Sequence, residues 1–560
     1  MLIGIDVGGT TTDAVLLEGS HLLGSAMVPT DPDDLSGCLL EALDALLTGV
    51  APGDIHRVVL STTVITNLIA EGKADPVGLI LIPGPGTNPR DYPLPPAEIV
   101  DGAIDFRGRE IRALDVRGVR AAGAALAAEG LRKVAVVGKF SQRNHSHELQ
   151  AERILAEAFP ELQVELGHRV SGRLNFPRRA ATTLLTVSTR DHYRDFAVRM
   201  AAALRRRGLQ APVHVLKADG GTVPLEKSVA CPVETIFSGP AASAMGALAL
   251  GPLGQTSVVV DVGGTTTDMA LILSGRPLLA SKGAQVDGLL THVRTFAVKS
   301  VGLGGDSAVR VRGGALVLGP DRLGPAACLG GPAPTPTDAL RVLGLTALGD
   351  AALARGSMEP AARSLGLTPE QLAEQVLEAM VAGIVGEIEG MFTRWEQEPV
   401  YRIWELLQKE RIRPQTVMGV GGASPPLVPL VAERLGARPL VSTYAAVANA
   451  IGAAAARPTL TLNLSIDTAQ GTYVVAEDGE VGRVEDRQLG LPAAEQMARR
   501  LLLARAQALG VAEYADQAEV TYSEVFNMVR GWSQTGRLLD VQVEIPAGLI
   551  PAWKGGGGEF

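Results

Sequence analysis

Cysteine is scarce in this 560-residue chain: Cys38, Cys231 and Cys328 stand far apart and without metal-ligand spacing. That weighs against a disulfide framework or an iron–sulfur cluster and predicts a reducing, cytoplasmic setting. Cys231 and Cys328 read as small buried apolar residues. Aromatic residues make up only 4% of the chain, whereas Gly, Ala, Leu and Val abound. The core is therefore expected to be aliphatic, with backbones in close contact. Long basic runs are missing as well. The net charge is −9, and the densest basic cluster, Arg205-Arg206-Arg207, reads as the end of a solvated helix. Nucleic-acid binding as the main task is not expected. No uninterrupted apolar segment reaches the ~20 residues that span a bilayer, so no membrane partner is expected. The N-terminus enters a strand directly, without the pattern of a signal peptide.

What the chain does have is one octapeptide written twice, Asp6-Val-Gly-Gly-Thr-Thr-Thr-Asp13 and Asp261-Val-Gly-Gly-Thr-Thr-Thr-Asp268. Each copy follows an apolar run, Leu2 to Ile5 or Ser257 to Val260, and precedes another, Ala14 to Leu17 or Met269 to Leu273. A small-residue turn comes next in both, Gly19-Ser20 or Ser274-Gly275, and then a third extended stretch. The pattern is strand, glycine turn, strand, strand. Glycine pairs adopt backbone angles closed to other residues and leave room for a bound group, and the threonines add hydroxyl donors. One such turn alone would be ordinary hairpin chemistry, but two identical copies in matching context point to a phosphate clamp closing from both sides.

Between and beyond the copies, strands and helices alternate, which implies a parallel or mixed sheet covered by helices. Helices are expected over Asp33 to Leu47, Val116 to Glu129, Glu148 to Ala158, Arg179 to Arg207, Thr368 to about Gln408 and Ala445 to Ala456. Strands are expected at Arg57 to Leu60, Val77 to Ile82, Lys133 to Val137, Val213 to Leu216 and Thr416 to Val420. Asp101 to Glu110 reads as a charged hairpin, and Ser238-Gly-Pro240 as the cap and first turn of an Ala-rich helix. Residues 459–560 form a small α+β unit, with strands near 460–466, 472–476 and 539–544. The glycine-rich tail from Lys554 to Phe560 is expected to be flexible.

Two further glycine loops bear on chemistry. Ser300-Val-Gly-Leu-Gly-Gly-Asp-Ser307 lies between strand-like segments, and Met418-Gly-Val-Gly-Gly-Ala-Ser424 lies between a strand and a helix whose end Gly436 caps. The second could aim its amides at an anion, admit a flat base to the backbone, or simply turn the chain. His145-Ser-His-Glu148 resembles a metal site only superficially; two histidines at a helix start read as solvated or capping residues.

Taken in order, the Asp6–Asp13 loop, Ser61-Thr-Thr-Val-Ile-Thr-Asn67, Ser238-Gly-Pro-Ala241, the Asp261–Asp268 loop, the Gly302–Ser307 loop and Gly421-Gly-Ala423 closely resemble the hydantoinase/oxoprolinase family, in particular its A-type, ATP-using subunit. Asn144-His-Ser-His-Glu148 and Thr335-Pro-Thr-Asp-Ala339 resemble it too. The resemblance runs from residue 1 to about 458. It implies an α/β, actin-like ATPase fold, shared with sugar kinases and heat-shock chaperones, of two ribonuclease-H-like halves (1–180 and 181–458), with 459–560 as an added unit.

By the resemblance, ATP and Mg²⁺ sit between Gly8, Gly9, Thr10, Thr11 and Thr12 of the first loop and Gly263, Gly264, Thr265, Thr266 and Thr267 of the second. Gly304 and Gly305 lie beside them, and Gly421, Gly422 and Ala423 face the adenosine. Asp6 and Asp261, at strand ends, are the expected Mg²⁺ holders, through water. Asp13 and Asp268 either join them or order the hairpins. Asp306 replaces the last of three glycines usual in the family; it is a ligand or base at the cleft, or a loop residue. The tyrosine usual near Gly324-Pro-Ala-Ala-Cys-Leu329 is absent.

The implied chemistry is phosphorylation of a cyclic amide carbonyl (hydantoin, 5-oxoproline or lactam) by MgATP, which creates a better electrophile for ring opening. No B-type hydrolytic portion is recognisable, so a B-type partner subunit is expected. ATP-driven ketone carboxylation and a nucleotide-driven chaperone or reactivating factor are the alternatives.

Overall fold

The computed structural model describes residues 1–31, 33–251, 254–397, 412–477, 479–530 and 533–553. The helix expected to about Gln408 runs over Pro369–Glu396; the remainder of that expectation, like the tail from Lys554, lies outside the described residues.

Each octapeptide is the turn of a hairpin. Leu2–Val7 pairs antiparallel with Thr11–Glu18, and Ser257–Val262 pairs antiparallel with Thr267–Leu273, so Asp6 opposes Asp13 and Asp261 opposes Asp268. The first hairpin adds His21–Pro29 on one side and, in parallel, Arg57–Thr62 and then Val213–Leu216 on the other. The second adds, in parallel, Thr416–Val420 and then Arg438–Val441. Both sheets therefore share one order: third, second, first, fourth, fifth. This doubled, ribonuclease-H-like arrangement is the actin-like ATPase fold that the resemblance implies. One difference lies in the third strand. After Ser274-Gly275 only Arg276–Pro277 pairs directly, and the fuller partner of Thr267–Leu273 is the later Val298–Val301.

The near-continuous Val, Ile and Leu runs of the central strands match their burial on both faces. Between the two sheets lie helices Ser238–Leu250 and Ala448–Ala455, both rich in small residues. Their backbones nearly touch. A Cβ added at Gly246 would lie 2.2 Å from the Ala448 carbonyl oxygen, and one at Gly452 would lie 2.3 Å from that of Ala242. This is where the low aromatic content shows structurally: large side chains would force these helices, and the loops at their ends, apart.

Phe237, not Ser238, occupies the helix N-cap position, in left-handed conformation (φ 58°) and with no side-chain cap bond. The Ser238 hydroxyl instead donates to Thr62 O (2.8 Å) and accepts from Thr62 N–H (3.2 Å), tying this helix to the end of the Arg57–Thr62 strand.

A four-stranded parallel sheet, built around Val77–Ile82 and Lys133–Gly138, forms a side lobe. There the His145–Glu148 segment departs from the expectation of solvated residues, since His147 and Glu148 are buried. Glu148 accepts from Gly138 N–H (2.7 Å) and His168 N–H (2.9 Å) and binds His168 Nδ1 at 2.6 Å. His145 stacks on the His168 ring. The segment locks loops together. Cys328 is buried as expected, but Cys231 is only partly so.

The C-terminal unit is a five-stranded antiparallel sheet. Besides the three expected strands it includes Val481–Arg483 and Glu519–Arg530, and helix Leu491–Ala508 backs it as the helical part of the expected α+β unit. Its apolar face shares one core with the two central helices, and Trp553 Nε1 donates to Ala249 O at 2.9 Å. Among the described residues no helix is long and apolar enough to cross a membrane.

Candidate nucleotide cleft

A cleft of about 1050 Å³ opens between the two hairpin turns. Asp6, Gly8, Gly9, Thr10 and Thr11 line one wall, and Asp261, Gly263, Gly264, Thr265 and Thr266 line the other. The two turns close identically. Gly8 N–H donates to Thr11 O at 3.0 Å, and Gly263 N–H donates to Thr266 O at 2.9 Å. They also face each other closely, since a Cβ on Gly264 would sit 3.3 Å from Thr10 Oγ1 and 3.1 Å from Asp306 Oδ2. On Gly9 it would meet nothing within 4 Å, so space remains directly above the first turn.

Thr12 and Thr267 do not line the cleft. Both are fully buried, with Thr12 Oγ1 bonded to Thr30 Oγ1 (3.0 Å) and Thr267 Oγ1 donating to Leu303 O (2.6 Å). Gly304 packs beneath the second turn, where a Cβ would lie 2.5 Å from the Gly264 backbone. Gly305 and Asp306 do reach the cleft, their amides donating to Gly263 O (2.9 Å) and Gly264 O (2.7 Å).

That loop is braced from behind. Thr337 N–H and Oγ1 both donate to Gly305 O, at 2.9 and 2.8 Å. Thr337 itself is held by a capping box in which buried Asp338 accepts from Thr335 N–H and hydroxyl and from the amides of Ala327 and Cys328. The Thr335-Pro-Thr-Asp338 motif thus fixes the Gly305 loop, with Thr337 itself at the cleft wall. Asp306 pairs with Arg322 (Nη2 to Oδ2, 3.1 Å); burial raises its carboxyl pKa while the Arg322 charge opposes the rise.

Gly421, Gly422 and Ala423 form the third wall. Gly421 has φ +84°, and a Cβ there would stand 2.7 Å from Asp261 Oδ1, so both its conformation and its neighbour require glycine.

Four carboxylates crowd the floor. Desolvation pushes Asp6 up to about 6, with Asp261 adding repulsion. Asp13 goes up to about 7, through burial and then the charges of Asp6 and Asp261. Asp268 goes to about 6, through burial and Asp261, and desolvation raises Asp261 too. Relief comes from residues that sequence reasoning missed. Ser243 Oγ (2.5 Å) and Asn449 Nδ2 (3.1 Å) both donate to Asp261 Oδ2, and Asn449, with Ser61 of the Ser61–Asn67 motif, partly offsets the rise at Asp6. Asp6 Oδ1 and Asp13 Oδ1 remain buried without a hydrogen-bond partner, which is expensive for an anion. A cation would relieve both the crowding and these orphaned oxygens, so the donor set fits a divalent metal. Among the described residues no group of three or more His, Cys, Asp and Glu is placed to hold a metal ion on its own. A hard cation held by one or two carboxylates and otherwise by waters and phosphate oxygens is compatible with that.

Comparison with known proteins agrees with the motif order. Residues 2–159 match the model of the hydantoinase/oxoprolinase N-terminal region, and residues 179–461 match that of hydantoinase/oxoprolinase. The chain is 27% identical over 485 residues to the caprolactamase subunit alpha of Pseudomonas jessenii, covering 78% of this chain and 67% of that one. It is 30% identical over 390 residues to the acetophenone carboxylase gamma subunit of Aromatoleum aromaticum, covering 61% of this chain and 53% of that one. The chain thus spans about two-thirds and about half of these two relatives. In fold it is similar to the ATP-dependent caprolactamase of Pseudomonas jessenii (TM-score 0.70, 21% identity, covering 97% of this chain and 87% of that one). An acetone carboxylase is equally similar (TM-score 0.71, 20% identity, 98% and 87% covered). With both family models matched across the two hairpins and the three loops around the cleft, the chain belongs to the hydantoinase/oxoprolinase family.

Proposed function

We propose that this chain is the ATP-using subunit of a cyclic amidase: it phosphorylates the carbonyl oxygen of a hydantoin, 5-oxoproline or lactam, and a B-type partner subunit completes ring opening. The observation that carries the reading is the meeting of two identical octapeptides and the Gly421–Ala423 loop around one cleft floored by four carboxylates. In this reading Gly8 and Gly263 close the turns, and the amides and hydroxyls of Gly9 to Thr11 and Gly264 to Thr266 cradle the phosphate chain, as glycine turns at strand ends do for anions. Gly421, Gly422 and Ala423 leave the adenosine face with no side chain larger than a methyl. Asp6 and Asp261 would hold Mg²⁺ through water, with Asn449 donating to Asp261 and fixing its orientation. The metal, when bound, neutralises charge on the transferring phosphoryl group.

The remaining work is positioning. The amide oxygen attacks the terminal phosphorus, ADP departs with the bond electrons, and the ring carbon becomes a strong electrophile. No protein nucleophile is needed. In this reading Asp306, paired with Arg322 and beside Gly264, orients the acceptor side, and the Gly305 and Asp306 amides, donating to Gly263 O and Gly264 O, hold its loop still. A second reading, phosphorylation ahead of ketone carboxylation, is favoured by the 30% identity to the acetophenone carboxylase gamma subunit.

The test is phosphate release from ATP by the purified chain with hydantoins, 5-oxoproline and lactams, and separately with ketone plus bicarbonate, each with and without a B-type partner. Stimulation by a cyclic amide supports the first reading and stimulation by ketone with bicarbonate the second. Turnover that responds only to another protein would overturn both.

A further inference from the structure

A second cavity of about 530 Å³ lies where the loop before the long helix Phe176–Arg206, the 279–295 segment and the C-terminal sheet meet. It adjoins the nucleotide cleft, because Ala280, Gly283 and Thr295 line both. In a chain of net charge −9 this cavity is strongly cationic. Arg143, Arg173, Arg178, Lys282 and Arg294 line it, against Asp540 as the one acid in its wall among the described residues. Two of the cations are neutralised: Arg143 by Asp540 at 3.0 Å and Arg294 by Glu544. The side chains of Arg173, Arg178 and Lys282 have no hydrogen-bond or ion-pair partner among the described residues.

Neutral polar atoms are waiting there as well. His292 Nε2 and Thr295 Oγ1, both able to donate, are buried and unpartnered. The position of Arg173 is fixed by its neighbour, since Gly172 is pressed on the C-terminal sheet so tightly that a Cβ would lie 1.4 Å from Ala476 O. Burial, and then the charge of Arg294, lower the pKa of Arg173, against the opposing charges of Glu477, Glu234 and Glu544, none of which contacts it directly. Cations that line a cavity without a direct partner leave their donors open to an anion that arrives from outside.

We infer that this second cavity anchors the carboxylate of a small acceptor substrate on Arg173, Arg178 and Lys282, leaving its opposite end at Gly283 and Thr295, on the boundary with the nucleotide cleft. The inference rests on the proposed phosphoryl transfer and narrows its substrates to carboxylate-bearing acceptors, 5-oxoproline-like rather than plain lactams. The C-terminal sheet thereby supplies one wall of the acceptor chamber.

Calorimetric titration of the full chain with 5-oxoproline and with 2-pyrrolidinone, the same ring lacking the carboxylate, tests it; succinate and glutarate serve as further carboxylates. The expected result is that 5-oxoproline binds at least tenfold more tightly than 2-pyrrolidinone. Arg173→Gln should weaken 5-oxoproline binding roughly tenfold to a hundredfold while leaving the neutral ring unaffected, the range for losing a hydrogen bond between charged groups. Lys282→Gln, at an exposed position that the fold tolerates, should weaken it severalfold. Equal binding of the two rings, unchanged affinity in both variants, or no binding of any carboxylate would overturn the inference. ATP binding measured on the same samples separates the two claims: retained ATP binding without carboxylate binding refutes the chamber alone, whereas absent ATP binding refutes the proposed function.

Discussion

The carboxylate cluster makes a prediction that needs no substrate. Asp13 is buried, its Oδ1 has no partner, and its pKa in the folded chain is raised from 3.8 to about 7. An acid with a raised folded pKa binds its proton more tightly when folded. Its favourable contribution is therefore complete below about pH 4 and is lost as pH rises from there to about 7, so the metal-free protein should lose stability across that window. At about 1.36 kcal/mol per pKa unit, Asp13 alone accounts for about 4 kcal/mol as an upper figure. Asp6 and Asp268, each raised to about 6, act in the same direction. Asp13→Asn cannot ionise. In urea unfolding with a chelator present, the variant should be more stable than the parent by roughly 2–4 kcal/mol at pH 8 and nearly equal to it at pH 4. Added Mg²⁺ should stabilise the parent more than the variant at pH 8. A variant no more stable than the parent at pH 8, or a parent whose stability is flat between pH 4 and 7, would refute the account of a charge-crowded floor.

Three other perturbations follow from the geometry. Gly421→Ala places a methyl 2.7 Å from Asp261 Oδ1 on a left-handed backbone; it should cost about 1–2 kcal/mol of stability and weaken ATP binding at least tenfold, read by titration. Asp338→Ala leaves the amides of Ala327, Cys328 and Thr335 without their acceptor. At roughly 1–3 kcal/mol per buried unsatisfied donor, it should cost more than 3 kcal/mol in urea unfolding and depress turnover by releasing Thr337 from Gly305. Asn449→Ala removes the donor to Asp261 Oδ2, a side chain that also offsets the raised Asp6 pKa; the concentration of Mg²⁺ needed for half-maximal ATP binding should rise at least threefold, with little change in the far-ultraviolet circular dichroism.

The two hairpins were legible because their information is local: apolar runs, glycine turns and a repeated octapeptide lie within a few residues of one another. The residues that steady the carboxylates were not, because they come from elsewhere in the chain. Ser243 lies 18 residues from Asp261 and Asn449 lies 188 away, each on a helix whose small side chains bring it against the strand ends. A signal existed for Asn449, which is the polar residue in the Ala448–Ala455 helix. Thr12 and Thr267 show the opposite failure. Their identity groups them with the loop threonines, but each stands within its returning strand and is buried in the core. Likewise Glu148 reads as a helix-start residue, yet its role is set by His168 and Gly138, which only the side-lobe sheet brings near.

The central claim is that the two octapeptides form one MgATP cleft, and equilibrium dialysis of labelled ATP tests it most directly. The chain should bind one ATP per molecule in a Mg²⁺-dependent manner, with Asp261→Asn weakening binding at least tenfold while the unfolding transition stays cooperative. Absence of ATP binding, or binding that neither Mg²⁺ nor Asp261→Asn alters, would contradict it.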